Sequence, residues 1–129
     1  MKIKTADLTG PALDWMVATI EGYGGLRRNP HAFDQSLIMN RGDGQCVLFS
    51  SLNYHADWSQ GGPLIERECL EVRVFAEHGS PDGGPYWISE RHPAVGHGPT
   101  PLIAAMRCLV ASRLGDEVDV PDELEWREQ

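Results

Sequence analysis

The sequence predicts an α+β chain in which a small antiparallel sheet is layered with helices, an αβ sandwich. Three observations carry that expectation. Apolar residues over 101–114 recur at helical spacing, residues 70–75 alternate with a period of two, and dense turn signals divide the remainder. No internal repeat is present, and no linker is long enough to separate two units. A single domain spanning residues 1–129 is therefore expected, with an acidic segment at 116–129. A chain of this length hides about two thirds of its unfolded surface, enough for a core without covalent staples.

The alternation in Met1-Lys-Ile-Lys-Thr5 suits a short edge strand. A first helix follows. Thr9 or Gly10 caps it, Pro11 lies in its first turn, and Leu8 is placed to staple onto Leu13. Leu13, Met16, Val17 and Ile20 form one helical face with Trp15 at its rim. Gly22 ends the helix, and Gly24-Gly25 keeps the chain from resuming it. Ser36-Leu-Ile-Met39 and Gln45-Cys-Val-Leu-Phe-Ser50 flank Arg41-Gly-Asp-Gly44 as a hairpin around a tight turn. In a cytosolic chain that Arg-Gly-Asp triplet is a plain turn, not an adhesion ligand.

Pro63 is expected at the first helical position of a short helix over 64–70, with Glu66 in its first turn. Leu70, Val72 and Val74 then share one face of a strand. Across the turn Ser80–Pro85, Tyr86-Trp-Ile-Ser-Glu90 supplies its antiparallel partner, and Arg91–Pro99 reads as a connection. The clearest helix comes next. Thr100 caps it, Pro101 needs no N–H at its first position, Arg113 suits its last turn, and Gly115 supplies a left-handed stop. Leu102, Ile103, Met106, Leu109, Val110 and Leu114 form a broad stripe expected to lie on the sheet. Ala104, Cys108, Ala111 and Ser112 form a small face that lets another backbone approach. Cys108 is read as a core thiol. Val118 and Val120 alternate with Asp119 in an extended segment, and 122–126 is a short helix or frayed end.

The net charge of −8 is concentrated. Residues 116–129 hold seven acids and one base, leaving −2 for residues 1–115, where twelve acids face ten bases. A basic footprint is missing, so direct binding to DNA or RNA is not expected. Three cysteines, Cys46, Cys69 and Cys108, have no close pairing, which argues for a reducing compartment rather than a disulfide framework. No apolar run resembles a secretory signal or approaches the roughly 20 residues of a membrane span. The expected location is the cytoplasm.

Signatures of chemistry are sparse. His31, His55, His78, His92 and His97 are scattered in expected loops. His55-Ala-Asp57 has a spacing that can bring two ligands together, but no third ligand follows at a recognisable interval. No nucleophile elbow, phosphate-binding glycine loop or metalloprotease motif occurs. Neither metal nor cofactor is expected. Glu66 and Glu68 project about 200° apart on a helix, a poor acid–base pair best described as solvated. The densest candidate is the glycine-bounded stretch Asn53–Pro63. Tyr54, His55, Asp57, Trp58, Gln60, Gly61 and Gly62, with Glu66 beyond it, are the candidate binding residues. The competing structural description has Trp58 plugging the core and Asp57 stabilising the turn.

Three stretches carry a family likeness: residues 1–15, Tyr54-His-Ala-Asp-Trp-Ser-Gln-Gly-Gly-Pro-Leu-Ile-Glu-Arg-Glu68, and residues 98–121. Together they resemble the phage NinX-like family. Residues 26–50 and 76–97 lie outside the likeness, and typical members have Ser-Thr-Asp where His55-Ala56-Asp57 stands. The resemblance implies a small accessory protein of tailed phages or prophages and transfers no catalytic residue. A non-enzymatic module that binds a host or phage protein through Tyr54–Pro63 is the expected function, with self-association into a homo-oligomer left open. The alternative is a small hydrolase working through His55 and Asp57 with Glu66. A third reading has the acidic tail mimic nucleic acid.

Overall fold

The structure, a computed structural model, describes residues 1–31, 33, 36–78, 83–122 and 124. In chain order these form β1 (Lys2–Lys4), α1 (Gly10–Ile20), β2 (Gly24–Arg28), β3 (Leu37–Asn40), β4 (Cys46–Leu48) and α2 (Trp58–Glu68). After them come β5 (Glu71–Ala76), β6 (Tyr86–Arg91), β7 (Ala94–Gly98), α3 (Pro101–Leu114) and β8 (Glu117–Asp119). Single 3₁₀ turns occupy Thr5–Asp7 and Phe49–Ser51. The fold is α+β, as expected. The one expected sheet is instead three small antiparallel ones, β1-β8, β2-β3-β4 and β5-β6-β7.

The last long helix has the bounds its caps dictate. Thr100 Oγ1 accepts from the Ile103 N–H at 3.1 Å. Gly115 takes φ +90°, which favours glycine, but its ψ of −166° lies outside the left-handed helical well and leads the chain straight into β8. There Val118 pairs with Ile3, so the two ends of the described chain close on each other.

The face that α3 lays on a sheet is the small one, which reverses the expectation. A Cβ on Gly96 of β7 would collide with the helix backbone at Ala104 and Cys108, and one on Gly98 would sit 2.7 Å from Ile103 Cγ2 and 3.0 Å from the Ala104 nitrogen. Small residues on both sides bring sheet and helix to backbone distance. The larger side chains fill the wider space between helices. Met106, Leu109 and Val110 join Leu8, Leu13, Met16 and Val17 of the α1 region in the main hydrophobic cluster, whereas Leu114 at the end of the stripe is exposed.

Three other expectations need correction. Arg91–Pro99 is not a connection, because Ala94–Gly98 forms the third strand of its sheet. Its glycines serve close packing rather than a turn. Gly24-Gly25 does not merely stop α1; it opens β2, which pairs with β3 of the expected hairpin. The face Leu70–Val72–Val74 holds only in part, since a register irregularity between Val74 and Ala76 leaves Val74 and Phe75 both exposed. Half of the expected turn at 80–85 and most of the segment 122–126 lie outside the described residues. Leu124 is fully buried.

Candidate functional site

Residues 54–63 are not one glycine-bounded loop. The chain is helical from Trp58, and Pro63 lies inside α2 rather than at its start. Asp57 is the reason. Its Oδ1 accepts from the Ser59 N–H at 2.9 Å and from the Ser59 hydroxyl at 2.7 Å, which caps the helix five residues before Pro63. Those bonds hold the Asp57 carboxyl below the usual carboxylate range. The carbonyl that Pro63 leaves without its helical partner belongs to exposed Ser59, where water can reach it.

Several predicted binding residues are consumed in building this corner. Gln60 Oε1 accepts from the Asn53 N–H at 2.8 Å, while its Nε2 donates to the Ser51 carbonyl at 2.9 Å and to Asp57 Oδ2 at 3.2 Å. A Cβ on Gly61 would lie 2.6 Å from the Tyr54 carbonyl oxygen and 2.7 Å from Leu102 Cδ2, so only glycine lets α2 close there. Tyr54 is buried, and burial, then the neighbouring Tyr23 and Glu21, push its phenol ionisation up. Glu66 is exposed, and its carbonyl accepts from the Cys69 N–H where the helix ends.

Trp58 does the opposite of plugging the core. It is 56% exposed, and a Cβ on Gly62 one turn on would sit 3.7 Å from its Cε3. Tyr54 takes the buried position instead.

His55 and Asp57 do not act as a pair, because each is engaged elsewhere. The His55 backbone N–H donates to Asp14 Oδ1 at 3.1 Å, and its Nδ1 lies 2.9 Å and 2.8 Å from the two carboxylate oxygens. Asp14 sits on α1 and is buried. Its hydrogen bond raises the His55 pKa above the ordinary 6.5, against the opposing effect of partial burial. His55, Asp14 and Ser50 line one cleft of about 270 Å³ with Pro11, Phe49, Leu52 and Asn53. Sequence reasoning missed Asp14, because 41 residues separate the partners and nothing local marks the contact.

Glu68 also departs from expectation. It is buried rather than solvated. Arg113 donates to its Oε1, Arg91 Nη1 to its Oε2 at 3.4 Å, and Arg67 lies 3.6 Å from Oε1. Arg67 makes a second, two-pronged bond to Glu21 at 2.8 Å and 2.6 Å. His97, expected in a loop, is on β7, edge-to-face with the ring of Phe75 and stacked on that of Tyr86. Among the described residues no group of three or more His, Cys, Asp or Glu is placed to hold a metal ion. No helix among them is long and apolar enough to cross a membrane.

Fold and site together define a small α+β protein in which one exposed aromatic, Trp58, stands on a helix start braced by Asp57 and Gln60. The family described as Bacteriophage P22, NinX matches residues 4–113, and the chain belongs to that family. The match runs through residues 26–50 and 76–97, which the sequence likeness had left unplaced. No curated protein matches the chain.

Proposed function

We propose that this phage accessory protein is a non-enzymatic binding module that engages a host or phage protein in the host cytoplasm through the start of α2. The observation that carries the reading is Trp58, a large aromatic left more than half exposed on a rigid support. Aromatic anchors of this kind dominate protein–protein binding, because they bury large area at little cost in side-chain freedom. The Asp57 cap and the Gln60 bonds hold the backbone beneath it before any partner arrives.

The test compares affinity capture from infected cells by wild type, Trp58→Ala and Tyr54→Ala, each checked by circular dichroism and thermal melting. Trp58→Ala is expected to melt like wild type and to lose a captured protein. Tyr54→Ala is expected to melt earlier. Capture unchanged by Trp58→Ala overturns the reading, and so does loss of folding in that variant, which would make Trp58 part of the core.

One observation favours a second, hydrolytic reading in a changed form. Asp14, not Asp57, orients His55, and Ser50 lines the same cleft. Turnover of activated esters that disappears in His55→Ala and Asp14→Asn would support it.

A further inference from the structure

The outer face of the β2-β3-β4 sheet carries a groove of about 500 Å³. Pairing places Arg27 opposite Ile38 and Ile38 opposite Leu48, so these three form one row across that face. Ile38 is buried yet lies outside the main hydrophobic cluster, while Leu48 beside it is 49% exposed. The opposite face, with Leu37 and Met39, belongs to the cluster.

The electrostatics of this groove differ from those of the rest of the molecule. Its described lining contains Arg27 and His31, with Arg28 engaged in an interaction of its own, and no carboxylate, in a chain with 19 acidic residues and a net charge of −8. Each of the other four clefts described has an Asp or Glu in its wall. Arg27 Nη2 donates to Asn40 Oδ1 at 3.0 Å and to Cys46 Sγ at 3.4 Å. Both acceptors are neutral side chains, so the guanidinium is held in place with its charge uncompensated by them. A fixed cation beside an apolar row is complementary to a segment that pairs a carboxylate with an aliphatic side chain.

We propose that this groove binds an acidic, leucine-bearing peptide segment of a partner protein, with a carboxylate on Arg27 and an aliphatic side chain against the exposed Leu48, over a floor formed by the buried Ile38. This surface is independent of the Trp58 reading, and its test uses different variants.

The test is fluorescence anisotropy with a labelled peptide of alternating glutamate and leucine. An alternating lysine–leucine peptide and labelled oligothymidylate serve as comparisons. The acidic peptide is expected to bind saturably and to weaken as salt rises. Arg27→Glu and, separately, Leu48→Ser are each expected to weaken it about tenfold, with melting temperatures unchanged. Leu48→Ser keeps the test free of the Arg27 hydrogen bonds. Absent binding, binding indifferent to both substitutions, equal binding of the lysine peptide, or tighter binding of oligothymidylate each overturns the proposal.

Discussion

Arg107 Nε donates to the Leu8 carbonyl oxygen at 2.8 Å, joining α3 to the entry of α1 across 99 residues of sequence. The same guanidinium donates from Nη1 to the His97 carbonyl oxygen of β7 at 2.7 Å. Arg107 is buried and has no carboxylate within ion-pair distance among the described residues. Its direct hydrogen-bond partners are thus two backbone carbonyls, with the Asp7 carboxylate favouring the charge from a greater distance. Arg107→Met keeps the apolar stem but leaves both carbonyls without that donor, and should cost about 3 kcal/mol in urea unfolding. Arg107→Lys, a single-headed donor, should recover only part of that loss. A Met variant as stable as wild type would show that the clamp contributes nothing.

Gly96→Ala should be among the most damaging single-methyl changes in the chain. The added carbon would meet the α3 backbone at Ala104 and Cys108, which cannot yield as a flexible side chain can. A loss of at least about 2 kcal/mol in chemical denaturation is expected. Gly24→Ala, whose Cβ meets nothing within 4 Å, is the control and should stay within about 0.5 kcal/mol of wild type.

The His55–Asp14 contact makes stability depend on pH. The folded chain holds the His55 proton more tightly than the unfolded chain, whose value is near 6.5. The contribution is therefore full below that value and is lost as pH rises through the higher folded one. Wild-type urea midpoints should fall relative to those of His55→Gln as the pH is raised above about 6.5. Parallel profiles for the two proteins would remove the linkage.

Thiol titration should separate the three cysteines. Cys46 and Cys69 are exposed, whereas Cys108 is fully buried. Burial also pushes the Cys108 thiol pKa up, which lowers its thiolate fraction. An aromatic disulfide reagent should modify two thiols quickly in the native protein and the third only on unfolding. Three fast thiols would contradict the packing of α3 on β7.

Local chemistry made much of this molecule legible in advance. Thr100 and Pro101 set where α3 begins, and Gly115 where it ends. The turn at 41–44 placed a hairpin, the alternation around Asp119 placed an extended end, and Cys108 proved buried. In each case the deciding interaction lies within a few residues of its cause. The expected start of α2 failed for a related reason: Pro63 is a strong local signal, but Asp57, accepting from the Ser59 N–H, gave the helix an earlier cap.

Other features depend on residues that meet only when the chain is folded. The sequence by itself determined an α+β chain with a capped, apolar final helix, because periodicity and caps act over one or two turns. Only the tertiary structure decided which face of that helix meets the sheet, because that choice depends on Gly96 and Gly98 of another strand. It also decided that Asp14, not Asp57, holds His55, that Glu68 is buried among arginines, and that Tyr54 rather than Trp58 is enclosed. Burial and long-range pairing are properties of the packed assembly of elements, and no stretch of sequence carries them alone.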